Sequence, residues 1–329
     1  MNKARAPRNR TITLSDEERK FYSENIRHLR QFVDEIPVNS IIHGDIFEAC
    51  KLIPTSSVDL LFLDPPYNLS KQFHDSSFNK TTEEKYTKWF QSWFELLLPS
   101  LKETATVYIC CDWQTSNLVY QVIKNKLIVR NRITWEREKG RGAKSNFKNS
   151  HEDIWFATKG KNYKFNIEAV KLKRKVIAPY KENGNPKDWE ESSDGNFRLT
   201  HPGNLWTDIS IPFWSMPENT DHPTQKPEKL IAKLILASTD EGDIVLDPFA
   251  GSGTTAVVAK KLNRNFYAVE LSEEFVCLAN KRLELAEKDK SIQGYQDGVF
   301  WERNTFSLRK KKNGKEENSP DDQSFLKFL

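Results

Sequence analysis

The chain is organised around one short stretch, Leu61-Phe62-Leu63-Asp64-Pro65-Pro66-Tyr67-Asn68. Its apolar residues, approached through Val58-Asp59-Leu60, are typical of a fully buried strand in a parallel sheet. The strand has to end at Asp64, because two successive prolines donate no hydrogen bonds to the ladder. A carboxylate, two proline carbonyls and an aromatic ring therefore lie together at the carboxyl end of a strand, where open α/β sheets bind their ligands.

The residues from Asp64 to Tyr67 suit one kind of chemistry. A carboxylate and a proline carbonyl are both acceptors, and together they can hold the two hydrogens of an exocyclic NH2 group. Acceptors aimed off the ring plane favour a tetrahedral amino nitrogen and offset the positive charge that develops as it attacks. Tyr67 offers a face on which a base flipped out of a duplex can stack. The alternative is an ordinary strand and turn in which Asp64 is only a cap.

The composition is that of a globular chain. Its 329 residues are 37% hydrophobic and carry a net charge of +4, which allows one large α/β core or two modest domains. We expect neither a membrane span nor a signal segment, because no apolar run approaches the ~20 residues that a span needs. The four cysteines lack paired spacing, so we expect no metal, no disulfide framework and a reducing cytoplasmic location.

Basic residues concentrate beside aromatic and Gly/Asn-rich loops, at 3–10, 139–148, 171–175 and 309–315. A solvated charged face would explain one such cluster, but several together favour a phosphate backbone as partner. The side chains expected to contact DNA are Lys139, Arg141, Lys144, Lys148, Lys171, Lys173, Arg174 and Lys175.

Helices and strands are predicted to alternate through the first half of the chain. Residues 1–14 are interpreted as a flexible basic arm, and the polar loop 69–80 is expected to move over substrate because it carries two phenylalanines. The pair of strands at 132–137 and 151–157 is predicted to be an antiparallel hairpin. The other predicted elements are helices at 17–34, 46–52 and 86–97 and strands at 38–45 and 105–110.

From Asn162 to about Thr220 the regular pattern fails, and Gly, Asn, Pro, Lys and Trp dominate. An irregular stretch of this length is functional or disordered, and its aromatic residues favour order. The pattern resumes at Pro227 with predicted helices at 230–235, 254–262 and 273–287 and strands at 244–247 and 265–270. The tail after about Leu308 is expected to be disordered.

Strand, Gly-rich turn, helix, strand and acid form the mononucleotide-binding half of a Rossmann-like sheet. The loop Phe249-Ala250-Gly251-Ser252-Gly253-Thr254-Thr255 fits neither the dinucleotide spacing G-x-G-x-x-G nor the Gly-Lys-Ser/Thr ending of a P-loop. A nucleoside ligand without phosphates fits better, and S-adenosylmethionine is the leading candidate. A purely structural Gly-rich turn is the alternative.

The tetrapeptide Asp64–Tyr67, together with Asp247-Pro248-Phe249-Ala250-Gly251-Ser252-Gly253, resembles the amino-group DNA methyltransferases of restriction-modification type. The order of the two motifs resembles the β class, as does His222-Pro223-Thr224-Gln225-Lys226-Pro227. His151-Glu152-Asp153-Ile154-Trp155-Phe156 resembles the strand that follows that family's catalytic region. The resemblance covers about 38–285. It implies an α/β fold, a circularly permuted Rossmann-like methyltransferase with a mostly parallel seven-stranded sheet and one antiparallel strand.

The resemblance also implies a role for each matching residue. Glu270 would bind the cofactor ribose, Asp45 its adenine amino group, and Thr224, Gln225 and Lys226 its methionine carboxylate. His222 is interpreted as a loop histidine without a role. The catalytic residues would be Asp64, Pro65, Pro66 and Tyr67, and the cofactor loop would contribute Asp247, Phe249, Gly251, Ser252, Gly253 and Thr254.

Five regions are expected from the pattern along the chain and the resemblance together. They are a basic arm and helix (1–37), a catalytic half (38–161), a target-recognition segment (162–220), a cofactor half (221–290) and a C-terminal extension (291–329).

The implied reaction moves a methyl group from S-adenosylmethionine to N6 of adenine in double-stranded DNA, by base flipping and direct transfer. Asp64 favours adenine over N4 of cytosine, because cytosine enzymes of the family tend to have Ser there, although the two chemistries overlap. A non-catalytic DNA-binding module and an RNA adenine methyltransferase are the further alternatives. A second copy of the chain and a restriction endonuclease acting on the same site are the other partners that the family suggests.

Overall fold

The computed structural model describes residues 6–73, 76–137, 145–176, 180–192 and 195–302. The tail after about Leu308 and three of the predicted DNA contacts, Lys139, Arg141 and Lys144, lie outside these residues. The helices are α1 (Asp16–Glu24), α2 (Ile46–Ala49), α3 (Glu83–Leu97), α4 (Ser116–Ile123), α5 (Glu228–Ser238), α6 (Thr254–Lys261) and α7 (Glu273–Lys288). In the described ranges, no helix is both long enough and apolar enough to cross a membrane.

The strands are, in chain order, β1 (Arg27–His28), β2 (Ser40–His43), β3 (Val58–Leu63), β4 (Lys71–Phe73), β5 (Ser76–Phe78), β6 (Leu101–Cys111), β7 (Ile128–Glu136), β8 (His151–Thr158), β9 (Leu172–Lys175), β10 (Lys181–Glu182), β11 (Asn185–Pro186), β12 (Glu190–Ser192), β13 (Gly195–Thr200), β14 (Leu205–Trp206), β15 (Ile244–Asp247), β16 (Asn265–Glu270), β17 (Tyr295–Gln296) and β18 (Val299–Trp301).

A nine-stranded sheet in the order β1-β2-β16-β15-β3-β6-β8-β7-β14 runs through the protein. Its pairings are parallel except those that β8 makes with β6 and β7, so β8 is the reversed strand. In the order of the sheet, seven strands lie from β2 to β7, and they confirm the predicted sheet. The short strands β1 and β14 extend its two edges. The catalytic strand β3 precedes the cofactor strands β15 and β16 in the chain but pairs directly with β15, as a circularly permuted Rossmann-like fold requires.

β3 lies at the centre of the sheet with both faces covered. Leu60 and Phe62 belong to the apolar cluster that includes α5, α6 and α7, whereas Leu61 and Leu63 face the cluster built on α3 and α4. Alternate side chains of one strand thus enter opposite halves of the core. This arrangement confirms the prediction of a fully buried strand.

The aromatic stripe predicted at 86–97 is α3, and it packs into the core as expected. Thr82 caps the helix by accepting the Lys85 N–H, and the helix ends before Pro99. Tyr86, Phe90 and Trp93 are all exposed by 1% or less. The rings of Phe90 and Trp93 meet edge to face at 4.7 Å, a favoured geometry for aromatic pairs.

The helix predicted over 17–34 is wrong in its second half. α1 begins with a capping box between Ser15 and Glu18, and it ends at Glu24 with Asn25 as its C-cap. The chain then forms β1, which pairs in parallel with β2. The apolar residues after Asn25 fit a helical spacing, but the edge of the sheet supplies backbone partners that the sequence pattern does not reveal.

The expected flexible arm is attached to the core over its described C-terminal part. The Arg10 N–H donates to the Trp214 carbonyl at 2.7 Å, and the Ile12 N–H donates to the Asn219 carbonyl at 2.8 Å. The loop at 69–80 likewise contains a regular hairpin, β4-β5. Its movement over substrate stays a prediction.

The stretch at 162–220 contributes to a second, smaller sheet in the order β12-β13-β9-β18-β17. β18 lies parallel to β9, so residues after the cofactor half complete the sheet of the predicted recognition segment. Phe197 and Trp301 are buried there, edge to face at 5.5 Å. Strands this short give no clear periodicity. One of the two partners of β9, the strand β18, lies more than 100 residues downstream in the chain. The division into five regions stays a prediction.

Glu218 is a buried carboxyl at the point where this stretch meets α5. Its Oε2 accepts the Glu228 N–H at 2.6 Å, and its backbone carbonyl accepts the side-chain amide of Gln225 at 2.7 Å. Burial and the neighbouring Glu228 carboxylate raise the pKa of Glu218 from 4.5 to about 8.

Because this pKa is higher in the folded than in the unfolded protein, the folded state binds the Glu218 proton more tightly. The resulting stabilisation is complete below about pH 4.5 and is lost as the pH rises through about 8. We predict that, as the pH rises from about 6 to about 9, the Tm of Glu218→Gln falls by less than the Tm of the wild type. Thermal melts across that range test this, and parallel curves for the two proteins would contradict it.

Candidate active site

Four parallel strands carry an acid at their carboxyl ends, on one edge of the large sheet. Asp64 follows β3, Asp247 and Glu270 end β15 and β16, and Asp45 lies two residues beyond β2. One pocket, lined by Asp64 on one side and by the Gly-rich loop on the other, joins the turn after β3 to that loop. The predicted site residues that line it are Asp64, Thr224, Gln225, Lys226, Asp247, Phe249, Gly251, Ser252 and Thr254.

Glu270 holds the Gly-rich loop in place. Its Oε2 accepts the Gly251 N–H at 2.8 Å, and its Oε1 accepts the Ser272 N–H at 2.8 Å. Burial raises the pKa of Glu270, while these backbone N–H groups oppose the rise. The carboxylate expected at a ribose therefore also fixes the loop that would surround the ligand.

Asp247 lies deeper in the same edge. It is 3% exposed, and its Oδ1 accepts the Phe249 N–H at 3.0 Å. Burial raises the pKa of Asp247 to about 7, against the hydrogen bonds from Thr255 and Phe249. These hydrogen bonds offset the burial only in part, so the carboxyl is suited to shape the loop and to accept a further donor from a ligand.

The two positions of the loop at Gly251 and Gly253 require glycine for different structural reasons. Both have positive φ, +52° at Gly251 and +76° at Gly253. A Cβ at Gly251 would lie 2.9 Å from His222 Nε2 in the pocket, whereas one at Gly253 would lie 2.6 Å from the Ala279 Cβ of α7. Gly253 is therefore required for close packing between α6 and α7, and its contact with the cofactor stays a prediction.

Asp45 has a structural partner of its own. It is exposed and caps α2, since its Oδ1 accepts the Phe47 N–H at 2.7 Å. β2 pairs with β16 so that His43 is opposite Glu270. Asp45 therefore lies beside the end of β16, outside the residues that line the pocket, and its contact with the cofactor adenine stays a prediction.

The catalytic turn is held from several directions. The Tyr67 hydroxyl lies 3.0 Å from Asp64 Oδ1, and the Tyr86 hydroxyl donates to the Pro66 carbonyl at 3.1 Å. The Asn68 side chain both donates to and accepts from the backbone of Thr81, at 2.9 and 2.8 Å. The turn from Asp64 to Asn68 is therefore attached to α3 and to the chain that follows the β4-β5 hairpin.

Lys226 lies at the catalytic turn as well as on the pocket wall. Its ammonium is 2.6 Å from Asp64 Oδ2 and 3.4 Å from Glu152 Oε2, and its side chain is 7% exposed. Burial alone would lower the pKa of Lys226, but the Asp64 and Glu152 carboxylates outweigh it and hold the pKa above its usual value. Lys226 therefore stays charged.

Gln225 uses its amide within the protein. Its Oε1 accepts both the N–H and the hydroxyl of Thr220, at 2.9 and 2.7 Å, and its Nε2 donates to the Glu218 carbonyl. The side chain thus shapes the segment that leads to Lys226, although it also lines the pocket.

Sequence reasoning missed four residues around this site. Glu152 and Arg137 form an ion pair beside Tyr67 and Lys226. The ring of His222 lies edge-on to Phe275 at 4.4 Å and lines the pocket beside Gly251. Glu152 and His222 lie within quoted motifs, and Arg137 is the last residue of the strand predicted at 132–137.

Arg282, the fourth, is 2% exposed and donates to the Ser252 carbonyl at 2.8 Å and to the Thr254 hydroxyl at 2.9 Å. The sequence signal is an arginine among the apolar residues on the inner face of α7.

Two cysteines lie near the catalytic turn in space, although none does in sequence. Cys110 and Cys111 end β6, which pairs with β3. Burial raises the pKa of both thiols well above the ordinary value. Both therefore stay protonated and are poor nucleophiles.

The predicted DNA contacts differ in how freely they face solvent. Lys171 pairs with Glu168 at 2.5 Å, Arg174 lies 3.8 Å from Glu302, and the Lys173 ammonium lies 4.8 Å from the centre of the Trp301 ring. Lys148 and Lys175 are exposed. These two lysines are the best placed of the described set to reach a phosphate.

A permuted Rossmann-like sheet, with an Asp-Pro-Pro-Tyr turn facing a Gly-rich loop across one pocket, defines a methyltransferase of exocyclic amino groups. Residues 58–281 match the N6/N4 methyltransferase family, described as DNA methylase. The chain belongs to this family.

Relatives and solved structures agree with this assignment. The chain is 35% identical over 257 residues to the DNA adenine methyltransferase YhdJ of Escherichia coli K12, a match covering 75% of this chain and 83% of the relative. It is 33% identical to the type II methyltransferase M.HpaI of Haemophilus parainfluenzae over 247 residues, 74% of each chain. The M1.HpyAVI–SAM complex superposes with a TM-score of 0.51 at 25% identity, covering 74% of this chain and 98% of that one. The cytosine-N4-specific PvuII methyltransferase, at 19% identity and a TM-score of 0.56 over 77% and 92% of the two chains, shares the fold.

The two glycines give a matched pair of substitutions. Both positive φ values are strained for alanine, so the difference between the variants reports on the added contact. We predict that Gly251→Ala weakens binding of S-adenosylhomocysteine about tenfold or more, because the new methyl group meets the His222 ring at the pocket. Gly253→Ala should instead lower Tm by about 3 °C more than Gly251→Ala, because Ala279 cannot move away. Calorimetric titrations and thermal melts of both proteins test this, and reversed effects would contradict it.

Proposed function

We propose that this DNA methyltransferase moves the methyl group of S-adenosylmethionine to N6 of an adenine flipped out of double-stranded DNA. The observation that carries the proposal is that the Gly-rich loop and Asp64 line the same pocket. A ligand in the loop and a base at the turn would then meet at a distance that permits direct transfer.

The residues of the loop fit this cofactor. Gly251 leaves open the space that a Cβ would take beside His222, and Ser252, Thr254 and Asp247 offer polar groups on the same wall. Asp45 and Glu270 lie at the ends of adjacent strands, where carboxylates can bind adenine and ribose groups. When bound, S-adenosylmethionine supplies an electrophilic methyl group.

The turn at Asp64 fits the target amino group. Asp64 and the Pro65 carbonyl would accept its two hydrogens and stabilise the positive charge that develops on nitrogen. The Tyr67 ring would stack on the flipped base, with its hydroxyl held by Asp64 and Glu152. The amino nitrogen would bond to the methyl carbon as the carbon–sulfur bond breaks, S-adenosylhomocysteine would leave, and the extra proton of the amino group would then pass to solvent.

Adenine is favoured over cytosine by the first residue of the tetrapeptide. The relative from Escherichia coli is named for adenine, whereas the cytosine-N4-specific neighbour shares only the fold. Cytosine N4 is the second candidate, because the same acceptors fit either amino group. An intact Asp64–Tyr67 turn beside an intact cofactor loop disfavours a non-catalytic DNA-binding module, and the long segment at 162–220 disfavours an RNA substrate.

Sequence recognition is assigned to the segment at 162–220, whose small sheet carries the exposed Lys175. We place the protein in the cytoplasm, on the DNA that it modifies. A homodimer and a restriction endonuclease that acts on the same sites stay predictions from the family.

We predict that cells expressing the wild-type protein accumulate N6-methyladenine and that cells expressing Asp64→Ala do not. The variant should bind S-adenosylhomocysteine and DNA normally but lose kcat by about 10²-fold or more, because it lacks one pre-organised acceptor. Asp64→Asn keeps an acceptor without the charge and should fall between the two. Digestion of genomic DNA and nucleoside chromatography test this.

N4-methylcytosine in the wild-type digest would select the second candidate. Full activity of Asp64→Ala would overturn the assignment of the turn.

We predict that Lys148→Ala and Lys175→Ala each flatten the salt dependence of DNA binding by about 0.9 in log K against log salt, the value for one phosphate contact. Lys171→Ala is the matched control, because its ammonium already pairs with Glu168, and it should change the slope less. Binding isotherms at several salt concentrations measure the slopes. Unchanged slopes for Lys148 and Lys175 would show that they are only solvated surface.

A further inference from the structure

Lys226 stands between two carboxylates rather than beside one. Its Nζ lies 2.6 Å from Asp64 Oδ2 and 3.4 Å from Glu152 Oε2. The Tyr67 hydroxyl bridges the same two acids, 3.0 Å from Asp64 Oδ1 and 3.2 Å from Glu152 Oε2. The two acids are therefore linked twice, once through a cation and once through a hydroxyl group.

The cluster is balanced in charge and well buried. Arg137 pairs with the other oxygen of Glu152, so two cations face two carboxylates. The side chains of Lys226 and Glu152 are 7% and 3% exposed, and that of Asp64 is 18% exposed. A buried charge is tolerated when it is paired and hydrogen-bonded, and removing one partner leaves the other uncompensated.

We propose that Lys226 is a positioning residue of the catalytic turn. Its ammonium fixes Asp64 Oδ2 in the orientation that faces the target amino group, and Glu152 with Arg137 holds Lys226 in place. This inference rests on the proposed function. It gives Lys226 a role different from the one expected at the cofactor's methionine carboxylate, because the ammonium already has two carboxylate partners within the chain.

The groups around Lys226 determine what its removal would do. Asp64 and Tyr67 face it from the turn, Glu152 from β8, and Cys110 from the end of β6. Arg137 faces Glu152, and Asp247 and Cys111 face Asp64. The thiols and the Tyr67 hydroxyl stay protonated because burial raises the pKa of each. Without the ammonium, Asp64 and Glu152 repel each other across Tyr67, so we expect the activity of such a variant to fall at a higher pH than that of the wild type.

The test compares Lys226→Met with Lys226→Arg and with Lys102→Met. Lys102 is a matched control, since it pairs at 2.7 Å with Asp59, at the opposite end of the same strand as Asp64. Two quantities are measured. The first is the affinity for S-adenosylmethionine and for its decarboxylated analogue, by calorimetry without DNA. The second is kcat at saturating cofactor across the pH range.

For Lys226→Met we expect kcat to fall about tenfold or more, and its acid limb to move up by about one pH unit or more. The ratio of the two cofactor affinities should stay within about threefold of the wild type's. Lys226→Arg should restore the position of the acid limb, and Lys102→Met should leave kcat and the limb unchanged. If Lys226→Met does not fold, Lys226→Gln combined with Glu152→Gln removes the repulsion, and the same affinity ratio is expected.

The opposite result would overturn the inference. If Lys226→Met abolishes the preference for S-adenosylmethionine over its decarboxylated analogue, while kcat at saturation and the acid limb stay as in the wild type, then Lys226 binds the cofactor's carboxylate. Failure of the proposed function looks different, because the wild-type protein would then form no methylated adenine in the same assay.

Discussion

Two successive prolines after β3 interrupt the hydrogen-bond ladder at the centre of the sheet, and the position of the active site depends on that interruption. β3 is buried on both faces between two apolar clusters, so the turn that follows it starts from a rigid base. Tyr86 on α3 and the Asn68–Thr81 pair then hold the turn from outside. A carboxylate at this point is fixed by the core on one side and by side-chain hydrogen bonds on the other, which is the preorganisation that stabilisation of a developing charge requires.

Crowding acids onto one edge of a sheet is costly unless each has its own donors. Glu270 accepts two backbone N–H groups and Asp247 accepts one. Asp64 has Lys226 and the Tyr67 hydroxyl. The acids predicted to lie nearest the cofactor thus have neutral donors, from the backbone and from the Thr255 side chain, whereas Asp64 is paired with a full cation. This division suits the proposed reaction, because positive charge would develop at the amino nitrogen beside Asp64.

The sequence predicted the elements whose signal is local. The prolines after β3, the aromatic stripe of α3 and the strand-turn-helix of the cofactor half each depend on residues close together in the chain. What it could not predict depends on partners far away. α1 ends early because β1 joins the sheet edge beside β2, and β9 is completed by β18. Lys226 meets Asp64, and Glu152 meets Lys226, from separate elements, so neither contact has a sequence spacing. Gly253 fits the cofactor motif by pattern, yet its tightest neighbour is Ala279 on α7.

Helix α5 links the turn at Asp64 to the small sheet. This helix begins two residues after Lys226, so its N-terminus is tied to the catalytic turn. Further along, Lys229 donates to the carbonyls of Asp208 and Trp301, at 2.7 and 2.5 Å, and Lys233 pairs with the Asp208 carboxylate. Asp208 belongs to the predicted recognition segment and Trp301 to the small sheet that completes it. One helix therefore connects the predicted recognition segment and the small sheet, at its Lys229 and Lys233, to the lysine that pairs with Asp64 just before its first turn.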